Sequence, residues 1–84
     1  MAELIRQYSA LAEASDGTQY VARVYGEQRR DRVWIGWIEF APLSDRPVVR
    51  TSRETEQTNR DALAYWAAGL ERTYLQGALS RART

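Results

Sequence analysis

The sequence predicts an α+β domain in which a three-stranded antiparallel sheet is packed on one face by helices, in the order α-β-β-β-α. Two runs rich in β-forming residues, 19–27 and 33–41, flank a short polar segment, which is typical of a β-hairpin. An amphipathic stripe at helical spacing begins after Thr58. With 84 residues, 44% of them hydrophobic and 27% charged, the chain is expected to form a single small domain over residues 1–84.

The first segment, residues 2–14, has two interpretations. Its apolar side chains recur at i, i+1, i+4, i+7 and i+8, which favours a short helix. The alternative is a fourth strand over residues 8–14, with residues 15–18 as a hairpin turn. The apolar positions on which the helix depends are Leu4, Ile5, Tyr8, Leu11 and Ala12.

Three strands are predicted in the middle of the chain. Residues 19–27 form the first, the polar residues 28–32 form a loop, and residues 33–41 form the second, which Pro42 ends. Residues 47–55 form the third. Proline opens this third strand and lacks a backbone donor, so we expect it at a sheet edge.

The C-terminal helix is predicted to begin at Thr58, whose hydroxyl can cap a free backbone N–H, with Asp61 three residues further on. Gly69 costs about 1 kcal/mol relative to alanine inside a helix. It therefore either kinks one long helix or breaks it, with a second helix after Glu71. The apolar stripe consists of Leu63, Trp66, Ala67, Leu70 and Tyr74.

The two faces of the predicted hairpin differ in polarity. A turn centred near Arg30 would pair Tyr25 with Ile35 and Val24 with Gly36. One face then carries no charge and is expected to be the core. Its residues are Tyr20, Ala22, Val24, Gly26, Trp34, Gly36, Ile38 and Phe40.

Two glycines on this core face lack side chains where a helix would pack. Gly26 and Gly36 either leave room for a large helix residue such as Trp66, or mark a bulge or bend in the sheet.

The opposite face has charged margins and an aromatic centre. In the predicted register Arg23 lies across from Trp37, a favourable arrangement of a guanidinium and an indole ring. An exposed apolar patch is typical of a binding surface. The candidate partner-binding residues are Arg23, Tyr25, Ile35 and Trp37.

Three occupants would fit this face. A terminal segment of the same chain could fold across it. A second copy or another protein could bind it, since exposed Trp, Tyr and Arg are common interface anchors. Alternatively, the Tyr25 and Trp37 rings could stack on single-stranded nucleic acid, with Arg29, Arg30 and Arg32 contacting phosphates. The preferred function is a protein–protein interaction or accessory module that homodimerises through this face. Single-stranded nucleic-acid binding is the alternative.

Composition excludes several other classes. All 12 basic side chains are arginine, and the chain contains no lysine, histidine or cysteine. Histidine acid–base catalysis, thiol nucleophiles and His/Cys zinc sites are therefore excluded, and we expect no enzyme activity, cofactor or metal. The net charge of +1 does not indicate a strongly cationic nucleic-acid binder. Without a long apolar run or a secretory leader, we expect a cytoplasmic protein with no membrane partner.

Parts of the sequence resemble two known families. The predicted α-β-β-β-α order is similar to that of double-stranded-RNA-binding domains. Residues 58–61 and 28–32 stand where those domains have a lysine cluster and a histidine. Residues 16–24 resemble the second strand of HicB-type antitoxins, and residues 60–64 resemble the start of their helix. The antitoxin likeness covers a small part of the chain, and neither resemblance assigns a family.

Overall fold

The computed structural model describes residues 1–84, which form five strands followed by two helices. The predicted α-β-β-β-α order and the three-stranded sheet are therefore wrong, and the likeness in element order to double-stranded-RNA-binding domains is lost with them. No helix is both long and apolar enough to cross a bilayer. The elements are β1 (Glu3–Glu13), β2 (Gln19–Gln28), β3 (Trp34–Pro42), β4 (Val49–Arg50), β5 (Thr55–Gln57), α1 (Arg60–Ala68) and α2 (Arg72–Arg81).

The N-terminal segment is a strand, so the preferred helix is wrong and the alternative strand begins earlier than expected. β1 pairs antiparallel with β2. The turn between β1 and β2 is stabilised by contacts among its own residues. The Thr18 N–H donates to Asp16 Oδ1 at 2.9 Å, and Gly17 has a φ of +89°. Glycine tolerates that left-handed conformation without a steric penalty, which explains its place in this turn.

Irregular pairing explains why β1 resembles a helix in sequence. Its register with β2 shifts before Arg6 and again after Gln7. A bulge adds an unpaired residue to one strand and disturbs the alternation of its two faces. As a result Ile5, Tyr8 and Ala12 all contact the core, at intervals of three and four residues. Two interruptions of a period-two pattern thus produce the spacing expected of a helix face.

The third predicted strand is divided into two short pieces that both pair with β3 at the same edge of the sheet. Thr51 lies in the gap and is only 2% exposed. Its hydroxyl Oγ1 accepts from the Ile38 N–H at 3.1 Å, while its own N–H donates to the Ile38 carbonyl at 2.9 Å. A side-chain oxygen therefore replaces a backbone carbonyl in the ladder, which ends regular strand pairing there.

The β2–β3 hairpin has a different register from the predicted one. Tyr25 pairs with Trp37 and not with Ile35. The turn is centred on Asp31 and not on Arg30, because Asp31 Oδ1 accepts from a backbone N–H two residues further on, at 3.0 Å. The displacement is even, so each residue stays on its predicted face.

The helical region begins one residue later than predicted and is interrupted. The side chain of Asn59, not Thr58, accepts from the Ala62 N–H at 2.8 Å and caps α1. Helix α1 ends at Ala68 with Gly69 as its C-cap, and α2 begins at Arg72. The helical region is therefore broken near Gly69 into two helices and is not one long kinked helix.

Helix α1 fits into a recess made by two glycines, but the inserted residue is Leu63 and not Trp66. A Cβ added at Gly36 would lie 2.7 Å from Leu63 Cδ1, and one added at Gly26 would also collide with Leu63. These glycines therefore permit close packing of helix and sheet. They lie on the face that also holds Val24, Ile38 and Phe40, all of which are fully buried.

Candidate functional site

Both helices pack against the core face, so the opposite side of the sheet is free of helices. We call this opposite side the open face. It contains most of the sequence-predicted binding residues, together with residues of β1, β4 and β5. Its main members are Leu4, Gln7, Leu11, Val21, Arg23, Tyr25, Glu27, Ile35, Trp37, Glu39, Ala41, Arg50 and Glu56.

An aromatic row crosses the middle of the open face. Leu4, which is 47% exposed, pairs with Tyr25, and Tyr25 pairs with Trp37. The two rings are stacked, with centroids 6.4 Å apart and planes inclined at 18°. The Arg50 guanidinium carbon lies 4.6 Å from the centroid of the Trp37 ring, and the indole Nε1 donates to Glu39 Oε2 at 3.4 Å. These neighbours leave Trp37 only 5% exposed.

The low exposure of Trp37 corrects the expectation of an uncovered indole ring. Tyr25, Glu39 and Arg50, which lie on the same sheet face, all contact the indole ring. Tyr25 and Ile35 remain partly exposed beside it. The accessible surface at the centre of the open face is therefore made by the phenol, the aliphatic side chains and the Arg50 guanidinium.

A polar row lies on one side of the aromatic row. Arg23 pairs with Glu39, and Glu39 pairs in turn with Arg50. The Arg23 Nε donates to Gln7 Oε1 at 2.8 Å. The predicted placement of Arg23 opposite Trp37 is wrong, because the register differs, and Arg50 provides the cation–π contact instead.

An acidic row lies on the other side. Ile35 pairs with Glu27 on β2 and with Glu56 on β5, so a partly exposed aliphatic side chain stands between two carboxylates. Glu56 Oε2 is 2.6 Å from Arg53 Nη1 and 3.5 Å from Arg29 Nη1. Glu27 Oε2 is 3.8 Å from the Met1 ammonium nitrogen. Exposed pairs of this kind contribute little stability, so an arginine of a partner can compete for either carboxylate.

The three arginines of the loop between β2 and β3, Arg29, Arg30 and Arg32, are not equivalent. Arg29 Nη2 is 2.9 Å from Asp31 Oδ2. The backbone N–H of Val33, followed by the guanidinium of Arg29, lowers the pKa of Asp31. Arg30 and Arg32 are exposed and form no ion pair, so the loop offers two uncommitted guanidinium groups.

Sequence reasoning missed the contributions of Leu4, Arg50 and Glu56. Leu4 was assigned to a helix, whereas Arg50 and Glu56 join the face only through pairing with β3. The alternation of an apolar and a charged residue at positions 49 and 50 could have indicated the role of Arg50. Val49 faces the core cluster, and Arg50 faces the open face.

A cavity of about 550 Å³ lies between the β1–β2 turn and α2, and its only ionisable lining side chains are Glu13 and Tyr20. No group of three or more acidic side chains is placed to hold a metal ion. Comparison of the chain with family models, curated proteins and solved structures finds no match.

Proposed function

We propose that this protein acts by binding and that the occupant of its open face is a second copy of the same chain. The observation that carries the proposal is the order of the rows. The aromatic row lies between the acidic row, in which Ile35 separates Glu27 from Glu56, and the polar row, in which Glu39 separates Arg23 from Arg50. On β2 this order is Glu27, Tyr25 and Arg23.

A two-fold axis lying along the aromatic row makes this pattern self-complementary. Rotation about that axis stacks two sheets face to face with their strands reversed. The acidic row of one copy then lies over the polar row of the other. Glu27 meets Arg23 of the second copy, and at the sheet edge Glu56 meets Arg50 of the second copy. The partly exposed Tyr25 rings of the two copies meet at the centre, while Trp37 stays covered by Arg50.

The area of the face is sufficient for such a contact. Four strand positions about 4.8 Å apart and strands of about eight residues give roughly 500 Å² per copy. Two copies would bury about 1,000 Å² in total, which reaches the lower range of specific interfaces. Burial of Leu4, Ile35 and the Tyr25 ring would supply the apolar centre, with the charged rows as its rim.

Single-stranded nucleic-acid binding is the alternative for the same face, and two observations make it less favourable. A base can stack only on an accessible ring, and Trp37 is 5% exposed beneath Arg50. Arg29 is engaged by Asp31 and Glu56. Titration with mixed single-stranded oligonucleotides at low salt tests this alternative, which requires an affinity that falls steeply as salt increases.

The test of self-association is a charge-reversal cycle measured by sedimentation equilibrium over a wide concentration range. We expect the parent chain to dimerise. Arg23→Glu and Glu27→Arg should each weaken the dimer about tenfold or more, because each places like charges together across the interface. The combination of both substitutions restores opposite charges and should recover most of the lost affinity.

Arg30→Glu is the matched control, since Arg30 is exposed on the loop and lies outside the open face. It should leave the dissociation constant unchanged within about twofold. A parent chain that stays monomeric at every concentration contradicts the proposal. If the double variant dimerises no more tightly than the single variant with the lower affinity, the two-fold arrangement is contradicted.

A further inference from the structure

The residues after α2 return to the edge of the sheet. The Arg83 N–H donates to the Arg50 carbonyl at 2.9 Å, and the Arg50 N–H donates to the Arg83 carbonyl at 2.8 Å. This is an antiparallel bridge, in which two directly paired residues project from the same side of the sheet. The side chains of Arg50 and Arg83 are therefore close neighbours.

Two like charges opposite each other on neighbouring strands repel, and this pair is not neutralised within the chain. Neither Arg50 nor Arg83 forms an ion pair. Glu39 flanks Arg50 on β3 without forming one either. A third cation, Arg81, is close to the same edge, and its Nη2 is 2.7 Å from Glu54 Oε1. Among the side chains at this edge, three guanidinium groups thus face two carboxylates.

A cavity of about 280 Å³ opens where these elements meet. No apolar side chain and no carboxylate side chain lines it. The lining residues are Arg50, Thr51, Ser52, Arg81, Arg83 and Thr84. Guanidinium groups offer forked N–H donors that match two oxygens of one anion, and hydroxyls add further donors.

From this arrangement we propose that the cleft binds the phosphoryl group of a small phosphorylated ligand. A phosphoryl dianion carries the charge needed to balance both Arg50 and Arg83, and its three oxygens can accept from both side chains and from Ser52 at once. A carboxylate has one charge and two oxygens, so it satisfies fewer of these donors. Arg50 also belongs to the polar row of the proposed dimer, where it meets Glu56 of the second copy, whereas Arg83 and Ser52 have no part in that contact, so the phosphoryl site is tested through Arg83.

The test is an NMR titration of the isotopically labelled full chain with methyl phosphate, at constant ionic strength maintained with chloride. We expect saturable shifts of the backbone amides at Arg50, Ser52 and Arg83. Arg83→Gln should weaken methyl phosphate binding about tenfold or more, because it removes a charge-assisted donor pair. Arg72→Gln removes one charge from an exposed position on α2 and should have little effect.

Three results would overturn this assignment. Shifts that do not saturate would show only diffuse attraction, and equal weakening by Arg72→Gln would show a response to net charge alone. Acetate binding as tightly as methyl phosphate would exclude a phosphoryl preference. The dimer is measured separately through the Arg23→Glu variant, so failure of either proposal is distinguishable from failure of the other.

Discussion

Replacement of Gly36 by alanine tests the close packing of α1 on the sheet. The added Cβ would lie 2.7 Å from Leu63 Cδ1 and 3.1 Å from Thr55 Cγ2. Leu63 is fully buried, so its side chain cannot swing into solvent to relieve the collision. Overfilling a well-packed core typically costs about 1–3 kcal/mol. We expect Gly36→Ala to destabilise the fold by that amount.

The expected loss is large for a domain of this size. A chain of 84 residues has a total stability of roughly 4–13 kcal/mol. With a urea dependence of about 1 kcal/mol per molar for a small protein, the unfolding midpoint should fall by ~1–3 M. The measurement compares urea unfolding curves at a single protein concentration, since dimerisation would otherwise shift the midpoint.

A double-mutant cycle identifies Leu63 as the cause. Leu63→Ala alone should cost about 2–5 kcal/mol through the cavity it creates. In that background Gly36→Ala fills space, so the two losses should not add. Gly77→Ala is the control. A Cβ there would have only Arg81 Nη1 within 4 Å, at 3.8 Å, and a helical alanine is favoured by about 1 kcal/mol. Strictly additive losses at Gly36 and Leu63 would refute the packing argument.

Three further predictions concern Asn59, Thr51 and Tyr8. Asn59→Ala should cost about 1 kcal/mol in denaturant unfolding by removing the cap of α1, whereas Thr58→Ala should be nearly neutral. Thr51→Val leaves the buried Ile38 N–H without an acceptor and should lower the free energy of unfolding by about 1–3 kcal/mol. Thr51→Ser keeps a hydroxyl and should retain most of the stability. Thermal melting followed by circular dichroism distinguishes the two variants. Burial raises the pKa of Tyr8 to about 12 from 10.0, so its neutral phenol stabilises the fold fully below pH 10, and this contribution is lost as the pH rises through 12. The midpoint of the parent should fall over that range more than that of Tyr8→Phe, and parallel curves would contradict this.

The alternation of core-facing and open-face residues along β2 and β3 can be predicted from the sequence. The uncharged and charged faces were assigned correctly even though the hairpin register was wrong. The predicted pairing differs from the observed one by two residues. Because an even displacement leaves every side chain on the same side of the sheet, the faces are unaffected. Tyr25 and Ile35 were therefore placed on the correct face, while their cross-strand partners were not.

The error at the N-terminus has a different origin. A strand with two register shifts can bury residues at intervals of three and four, and a periodicity argument then finds a helix. Nothing local to residues 3–13 marks these shifts. They depend on how β1 fits against β2, which only the assembled sheet determines.

The candidate site shows the same limit. Sequence reasoning identified Trp37 as the centre of the open face but could not predict its covering. Arg50 lies over the ring because β4 pairs with β3 at Glu39 and Phe40, a contact between segments distant in sequence. The Arg50–Arg83 bridge is likewise invisible until the C-terminal tail is placed against the sheet edge.

Residue identity alone shows that the chain has no lysine, histidine or cysteine side chain, and alternation divides the central hairpin into a core face and an open face. Both follow from residue identity and from alternation within a few neighbouring residues, which are local properties of the chain. Tertiary structure alone decided the hairpin partners, the strand at the N-terminus, and the arginine over Trp37. Each of these depends on which distant segments meet, and that choice is made by packing and backbone hydrogen bonding across the whole sheet.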